Sequence, residues 1–381
     1  MKLNTINRIA AIAIAAVATS AMAQTPQYTI KDLGAVNGES EAFAINNYNQ
    51  VVGWSFLRDG TRGALLWENN RMTILSSVGG TSAAYAINDQ KVIVGKRGTR
   101  AVQFIATNQL RDLGTFGGAE GTALGLNEYG EIAGGAQTRD ARWRGFSTRW
   151  DRTKGLTDLG TLGGVQSMAF DVNNVGVYAG WAYTAGPTHA ALFVPGQKPQ
   201  DLGTLGGPQS EARSISDYFG VTGWSDLTLR HNAPNNKGNV KHAFLWTPEK
   251  GRKDLGDPYS AGKTKLKDSQ GRTYYKLTYR DGEFQRTVNV YGVDTFGYGV
   301  NDSNTVCGNS RLYLGPTPKT IERAFVAING TMYDLNSLLD GNGFEWNLTH
   351  AWGLNDGNVI VGRGFNYRTG SFRAFMATRV R

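Results

Sequence analysis

A segment of the type AFAINNYNQVVG recurs seven times along the chain, and this repeat constrains the fold more than any other feature of the sequence. Every copy closes on a glycine: Gly53, Gly95, Gly134, Gly180, Gly223, Gly308 and Gly362. We expect these glycines to serve turns that need a positive φ angle. An asparagine precedes the turn in six copies, and Ser216 takes its place in the other. The steps from Asn46 through Asn88 and Asn127 to Asn173 are 39 to 46 residues long, which is typical of one four-stranded propeller blade.

Each copy reads as four short strands, named A to D here. Strand A is the AFAIN-type segment and strand B the QVVGW-type segment, and an Asn/Asp/Gly turn joins them as a hairpin. Strand C is the RGALLW-type run, and strand D leads into an Asp-Leu-Gly motif. The motif begins at Asp32, Asp112, Asp158, Asp201 and Asp254, with the variant Asp-Leu-Asn at Asp334. Alternation of apolar residues and the many glycines exclude a helical solenoid.

The two ends of the mature chain predict that the repeats close into a ring. The segment YTIKDLG is a D strand with no A, B or C strand before it, and FRAFMATRV is a C strand with no D strand after it. Seven A-B-C sets and seven D strands result. We therefore predict one all-β domain over residues 24–381, a closed seven-bladed β-propeller in which residues 28–34 complete the C-terminal blade. Closure removes exposed sheet edges.

The pattern DLGxLGG…AxxIN…VVG…HAFLW resembles the extracellular HAF-repeat family of bacterial proteins, and the resemblance covers nearly all of the mature chain. That family is defined by its repeat and not by an activity, so the resemblance implies no catalytic residue for this chain. Two places depart from the pattern. Ile74 stands where other copies have aspartate, and the segment after Gly256 lacks Leu-Gly-Gly.

The first 23 residues are typical of a secretory signal peptide. Lys2 and Arg8 precede an apolar run over residues 9–17, and Ala21-Met22-Ala23 forms a small-x-small cleavage site. We expect an exported protein of the periplasm or the medium without a membrane span. A single cysteine, Cys307, excludes an internal disulfide framework and aligns with the apolar core of strand B. The formal charge of +9 indicates anionic polymers as partners, and no specific nucleic-acid recognition is predicted.

A basic residue precedes strand C in every copy. The seven residues are Arg62, Arg100, Arg144, His189, His242, Arg323 and Arg373. A catalytic role needed once would not recur seven times, so we predict a structural role: an ion pair with the aspartate of Asp-Leu-Gly on the neighbouring strand. The predicted pairs are Arg100/Asp112, Arg144/Asp158, His189/Asp201, His242/Asp254, Arg323/Asp334 and, across the closure, Arg373/Asp32. Arg62 faces Ile74 and should lack a partner of this kind.

Two insertions interrupt the repeat. Residues 225–241 lengthen the B–C connection of the fifth unit, and residues 257–295 replace the short connection to strand A of the sixth. The second contains an Asp-Gly turn that predicts an extra hairpin, and from 257 to 286 it holds seven Lys/Arg against four Asp/Glu. Both connections emerge on the same face, so we expect a basic, aromatic rim there with Arg230, His231 and Lys237 as ligand-binding residues. The alternative is a solvated decoration, in which His231 is an exposed loop residue.

The A strands supply further candidates at the channel mouth. Their first positions are Glu41, Ala83, Thr122, Met168, Glu211, Phe296 and His350. Two residues later come Phe43, Tyr85, Leu124, Phe170, Arg213, Tyr298 and Trp352, a set that predicts packing between blades. Arg213 in that layer needs a partner such as Glu211 or an anionic ligand, and Trp352 is a further ligand-binding candidate. His350 next to Glu41 predicts an acid/base pair, with a hydrogen-bonded rim histidine as the alternative.

Three functions stay open. The first is a non-enzymatic propeller that binds a glycan, an anionic cell-surface polymer or a protein partner through the insertion-bearing face. The second is a carbohydrate-active enzyme, most concretely a polysaccharide lyase on a uronate-containing polymer, with His350, Glu41, Tyr274 and Tyr275 as catalytic candidates. The third is a subunit of an envelope assembly. The sequence contains no GxSxG, HExxH, CxxC, Walker, Rossmann or EF-hand motif, so no cofactor and no metal site are expected.

Overall fold

The computed structural model describes residues 25–380 apart from 77–79, 150–154, 232, 234–235 and 316–318, and for residue 342 it describes the backbone alone. Seven antiparallel sheets form a seven-bladed β-propeller, as the repeat predicts. The predicted signal peptide, residues 1–23, lies outside the described residues. Within the described part of the chain, no helix is long and apolar enough to cross a membrane.

The blades follow the chain in order. Blades 1 and 2 comprise β2 (Ser40–Ile45), β3 (Val51–Phe56), β4 (Arg62–Glu68), β5 (Arg71–Ile74), β6 (Ser82–Ile87), β7 (Ile93–Arg97), β8 (Arg100–Ala106) and β9 (Gln109–Asp112). Blades 3 and 4 comprise β10 (Gly117–Leu126), β11 (Glu131–Thr138), β12 (Trp143–Arg149), β13 (Thr157–Asp158), β14 (Ser167–Val172), β15 (Tyr178–Tyr183), β16 (Thr188–Phe193) and β17 (Gln200–Gly203).

The last three blades carry the insertions and the closure. Blade 5 comprises β18 (Gly206–Ile215), β19 (Val221–Arg230), β20 (Asn239–Thr247) and β21 (Gly251–Gly256). Blade 6 has six strands, β22 (Leu266–Lys267), β23 (Thr273–Asp281), β24 (Phe284–Val300), β25 (Val306–Leu314), β26 (Thr320–Ile328) and β27 (Thr331–Asp334). Two 3-10 helices, Leu335–Leu338 and Gly341–Glu345, lead to blade 7, which comprises β28 (Trp346–Leu354), β29 (Ile360–Asn366), β30 (Ser371–Arg379) and the N-terminal strand β1 (Tyr28–Asp32).

The ring closes through the N-terminal strand, as predicted. Strand β1 pairs antiparallel with β30, and the register joins Tyr28 to Arg379 and Asp32 to Phe375. Tyr28 is fully buried, and it packs in one cluster with residues from both blade 6 and blade 7. Because the closing strand contributes core side chains as well as a hydrogen-bonded edge, the first and last segments of the domain are held in one blade.

The seven recurring glycines are required by close packing and not by a turn. In each blade strand A carries a β-bulge against strand B, for example between Ala42 and Ala44, and the carbonyl oxygen before the bulge presses on the facing glycine. A Cβ atom on Gly53 or Gly180 would lie 1.9 Å from that oxygen. The expectation of positive φ is therefore wrong for this set. It holds for the glycine of Asp-Leu-Gly, where Gly34 and Gly114 have φ of +80° and +91°.

The asparagine before each A–B turn ties its blade to the next one. Asn46 Nδ2 donates to the Asn88 carbonyl over 3.0 Å, and Asn355 Nδ2 donates to the Asn46 carbonyl over 3.1 Å across the closure. The same bond leaves Asn88, Asn127, Asn173 and Asn301. Serine at position 216 has a shorter side chain without an amide, so it lacks the donor that the six asparagines use.

A second ring of hydrogen bonds surrounds the channel at the turn end. The backbone N–H of each residue after the asparagine position donates to a side-chain oxygen of its counterpart in the next blade, all the way round. The ring consists of Asn47, Asp89, Glu128, Asn174, Asp217, Asp302 and Asp356. Five members are carboxylates, so this end of the channel is acidic. Its residues follow the asparagine of each repeat, but their convergence around the channel was not predicted from the sequence.

The predicted contact between strands C and D forms in blades 2 to 6, as an Arg–Asp ion pair in blades 2, 3 and 6 and as a His–Asp hydrogen bond in blades 4 and 5. Distances run from 2.6 Å for Arg323–Asp334 to 2.9 Å for Arg144–Asp158. The pair predicted across the closure is wrong. Among the described residues no ion pair joins Arg373 to Asp32, because Asp32 Oδ2 accepts from Asn366 Nδ2 at 3.1 Å and Arg373 Nε donates to Ser371 Oγ instead.

Apolar clusters fill the space between neighbouring blades. Cys307 is fully buried in the cluster that joins blades 6 and 7, and this burial raises the pKa of its thiol to about 12. Its predicted place in the core is confirmed. In blade 1, Arg62 stacks on the ring of Trp54 at 4.1 Å, which replaces the aspartate contact that Ile74 cannot supply.

Candidate functional site

The two insertions meet on one face of the ring, the face that bears the B–C and D–A connections. Strands β19 and β20 extend into the segment 225–241, which was predicted to be a loop: β19 runs to Arg230 and β20 begins at Asn239, on either side of the blade 5 connection. Strands β23 and β24 form the predicted extra hairpin, and β24 runs on without interruption as strand A of blade 6. The hairpin therefore projects from the rigid ring and stands beside the blade 5 connection.

A buried carboxylate joins the two insertions. Asp294 Oδ1 accepts from His231 Nε2 at 2.7 Å and from the Lys241 backbone N–H at 2.8 Å, while Asp294 Oδ2 accepts from the Tyr313 hydroxyl at 2.7 Å. The His231 side chain is fully covered. The reading of His231 as an exposed loop residue is wrong, because its partner lies in another blade.

A cleft of about 220 Å³ lies between the insertions. Four of the predicted residues line it together: Arg230, His231, Tyr274 and Tyr275. Lys265 also lines it and was not singled out from the sequence. The sequence places Lys265 in the insertion. Because the insertion has no counterpart in the other repeats, the sequence does not show which of its lysines faces the cleft. Arg230 and Lys265 are exposed and form the basic rim of the cleft.

The wall of the cleft is aromatic. The half-buried Tyr274 packs against Tyr291 with ring centroids 5.4 Å apart, and the Arg272 guanidinium lies 5.5 Å from the Tyr291 ring. Tyr275 also lines the cleft, but most of its ring packs in the apolar cluster of the hairpin with Leu277 and Val290. Its burial raises the pKa of its hydroxyl above the ordinary value. A covered hydroxyl of this kind is poorly placed for the catalytic role assigned to Tyr275 from the sequence.

The β-bulges build a collar at the channel throat. The extra residues of the seven bulges are Phe43, Tyr85, Leu124, Phe170, Arg213, Tyr298 and Trp352, and all of them line the central channel. The predicted packing between blades is present, for example between Phe43 and Tyr85 with ring centroids 5.1 Å apart, but the sequence did not show that the set also lines the channel. A bulge turns the extra side chain out of the strand's alternation, here toward the axis. Rings touch around the collar, with Tyr298 and Trp352 only 4.3 Å apart.

Arg213 is the cation of this collar. Its guanidinium lies 4.1 Å from the Phe170 ring and donates to Glu211 Oε2 at 2.7 Å. Glu211 also accepts from Trp224 Nε1 at 2.8 Å. The partner foreseen for Arg213 is thus present within the chain, so no external anion is needed to balance this charge.

His350 and Glu41 do not form the predicted acid/base pair. Both carboxylate oxygens of Glu41 are occupied by indoles, Oε2 by Trp54 at 3.0 Å and Oε1 by Trp352 at 2.7 Å. His350 stacks on Trp352 with ring centroids 5.0 Å apart and contacts the Thr349 hydroxyl. Burial, followed by the charges of Arg363 and Arg311, lowers the pKa of His350 to about 4, so the imidazole is neutral at pH 7.

The remaining candidate, Lys237, is exposed on the blade 5 connection, and its carbonyl accepts from Arg230 Nη1 at 3.5 Å. In the part of the chain that the structure describes, no group of three or more His, Cys, Asp or Glu side chains is arranged to hold a metal ion. The candidate site is therefore the cleft, with the channel mouth beside it as a second aromatic surface on the same face.

No family model and no curated protein matches this chain. Among solved structures it is similar to an oligogalacturonate lyase from Vibrio parahaemolyticus, at 10% identity and a TM-score of 0.45, over 92% of this chain and 93% of that one. It is also similar to a gluconolactonase from Xanthomonas campestris, at 10% identity and a TM-score of 0.38, over 93% of this chain and 95% of that one. TolB from Acinetobacter baumannii gives 11% and 0.40 over 68% of this chain, which spans 62% of TolB. At these values the likenesses carry no argument about activity. The chain is a seven-bladed β-propeller with a cleft formed by its own insertions.

Proposed function

We propose that this propeller binds an anionic carbohydrate polymer in the cleft between the adjoining ends of β19 and β20 and the blade 6 hairpin. One observation carries the proposal: two insertions that the ring does not need converge on a cleft with a basic rim and a tyrosine wall. Aromatic faces accept sugar rings, and cationic rims attract carboxylates or sulfates. Export, predicted from residues 1–23, would place the protein where such polymers occur.

Charge supports a polyanion over a neutral glycan. Arg230 and Lys265 stand exposed at the rim, and the insertion around them carries an excess of lysine and arginine. Asp257 also lines the cleft, but its carboxylate is held by the Tyr259 and Ser260 backbone N–H groups. Among the described residues neither Arg230 nor Lys265 forms an ion pair, so both can meet an incoming carboxylate, and the attraction should weaken with added salt.

A polysaccharide lyase stays the alternative function, and the mixtures used in the binding experiment can test it as well. Removal of a C5 proton from a uronate needs a base that touches the substrate. His231 Nε2 is bound to Asp294, Tyr275 packs in the apolar cluster of the hairpin, and His350 is stacked on Trp352 of the channel wall. Ultraviolet absorbance of the same mixtures would detect unsaturated uronate products if the protein were a lyase.

The test is titration calorimetry of the mature protein with polygalacturonate, alginate, polyphosphate and neutral dextran. We expect binding to the uronate polymers, no binding to dextran, and a loss of affinity of about tenfold, equivalent to about 1.4 kcal/mol, for the double variant Arg230→Ala/Lys265→Ala. Lys276→Ala is the matched control, because Lys276 is exposed on the same hairpin but does not line the cleft. Failure to bind any polyanion, or equal losses in both variants, contradicts the proposal.

A further inference from the structure

We infer that the floor of the cleft recognises a sugar hydroxyl group, so that the cleft takes a hydroxyl-bearing uronate in preference to a polyanion that offers acceptors alone. The inference rests on the proposed function and adds the chemical group that is read. It comes from two polar atoms at the floor that the fold leaves without a hydrogen-bond partner among the described residues, His231 Nδ1 and the Tyr275 hydroxyl.

Both side chains are more than nine-tenths buried. His231 is 4% exposed and Tyr275 is 8% exposed, and both line the same cleft. Buried polar groups in proteins are nearly always hydrogen-bonded, so an unpaired group next to a cavity indicates a missing partner. Two such groups at one cleft indicate a ligand with polar atoms at matching positions.

The chemistry of the floor follows from Asp294. Its carboxylate offers acceptors alone, so His231 Nε2 must carry the hydrogen that bonds to Asp294 Oδ1. The hydrogen-bond pattern places a hydrogen on Nε2, and we infer a neutral imidazole, in which Nδ1 is then an acceptor. Nδ1 therefore needs a donor, while the Tyr275 hydroxyl can give a hydrogen bond, accept one, or do both.

The hydroxyl groups of a sugar suit both atoms, because one hydroxyl can donate to His231 Nδ1 and a hydroxyl can also accept from Tyr275. The oxygens of polyphosphate chains are acceptors at neutral pH, so they would leave Nδ1 unpaired in a covered position. Both floor atoms are covered by neighbouring side chains in the free protein. Ligand entry must therefore open this wall of the cleft.

The test compares two tyrosine variants of the mature protein. Tyr275→Phe removes the floor hydroxyl, and Tyr259→Phe is the control, because Tyr259 is buried in the same apolar cluster but does not line the cleft. We expect Tyr275→Phe to lose about tenfold in affinity for a galacturonate oligosaccharide, equivalent to about 1.4 kcal/mol, with no change for polyphosphate. Tyr259→Phe should bind both as the wild type does.

The melting temperature of each free variant shows whether it folds. Tyr275→Phe should melt at or above the wild-type temperature, since it removes an unpaired buried hydroxyl. Equal oligosaccharide affinity for Tyr275→Phe and wild type would overturn the inference and leave the proposed function intact. A wild-type protein that binds polyphosphate as tightly as the oligosaccharide would also overturn it. A wild type that binds no polyanion overturns both.

Discussion

Trp352 Nε1 donates a hydrogen bond to Glu41 Oε1 over 2.7 Å, between residues that lie 311 positions apart in the chain. The contact crosses from blade 7 to blade 1 at the channel mouth, on the side of the ring where the chain ends meet. The same indole stacks on His350, so one side chain contacts both members of the predicted acid/base pair. This contact across the closure occupies an oxygen of Glu41 that the predicted pair would need.

His350 should make the wild-type protein sensitive to mild acid. Its pKa falls from 6.5 to about 4 on folding, chiefly through burial. A lowered pKa of a base means that the unfolded chain binds more protons, so stability is complete above pH 6.5 and falls as the pH drops toward 4. We expect His350→Gln to remove up to about 3 kcal/mol of this pH dependence. Urea unfolding of both proteins between pH 7 and pH 4 measures it, and parallel pH curves would refute it.

The seven recurring glycines of strand B, which face the bulges of strand A, should tolerate no side chain. In Gly180→Ala the new Cβ would lie 1.9 Å from the Met168 carbonyl oxygen, so the bulge must shift. We expect a loss of about 3 kcal/mol in the free energy of unfolding. Gly186→Ala is the control, because its Cβ would meet nothing within 4 Å and its φ is not positive. Equal melting temperatures for the two variants would show that the close approach has no energetic weight.

Completing the asparagine ladder should stabilise the ring. Ser216 is the one copy that lacks an amide donor toward the next blade, whose Asn301 carbonyl is the equivalent acceptor. We expect Ser216→Asn to add about 1 kcal/mol and Asn127→Ala, which removes bonds to the Asn173 carbonyl and to Glu131, to cost at least as much. Denaturant midpoints test both. A Ser216→Asn variant with an unchanged or lower midpoint would argue against the ladder.

The carboxylate ring should repel itself at neutral pH. Burial, helped by the neighbouring Asp356 and Asp217 charges, raises the pKa of Asp302. A raised pKa means that the folded protein favours the protonated acid. The free energy of unfolding therefore decreases as the pH rises from the ordinary pKa of aspartate to the raised pKa of Asp302. Asp302→Asn keeps the Oδ1 acceptor that Asn47 and Asn174 already supply in the ring. We expect it to raise the neutral-pH melting temperature, whereas the exposed Asp59→Asn control should not; a lower temperature for Asp302→Asn contradicts this reading.

The sequence predicted those parts of the fold that repeat. The blade count, the closing strand and five contacts between strands C and D follow from residues that recur at fixed spacing, such as His242 and Asp254. The predicted pair of Arg373 with Asp32 is wrong because Asn366, a residue without equivalents in the pattern, donates to Asp32 instead. The seven recurring glycines could be found in the sequence, but the reason for them could not. The reason is a bulge of the facing strand and not the backbone conformation of the glycine itself.

The site was less predictable because it lies where the repeat stops. Arg230, Tyr274 and Tyr275 were chosen for their chemistry in the insertions, and they do meet at one cleft. The burial of His231 could not be foreseen, since it depends on Asp294, 63 residues away in another blade. Lys265 was missed for the same reason: without repeat partners, the insertion gives no register from which the direction of a side chain follows. Membership of the HAF-repeat family and export stay predictions.

A crystal structure of the mature protein with a bound galacturonate oligosaccharide tests the central claim most directly. We predict sugar density in the cleft between the blade 5 connection and the blade 6 hairpin, with a carboxylate within hydrogen-bond distance of Arg230 or Lys265 and a hydroxyl at His231 Nδ1. Sugar density confined to the aromatic collar around Trp352, with the cleft unchanged, would contradict the account.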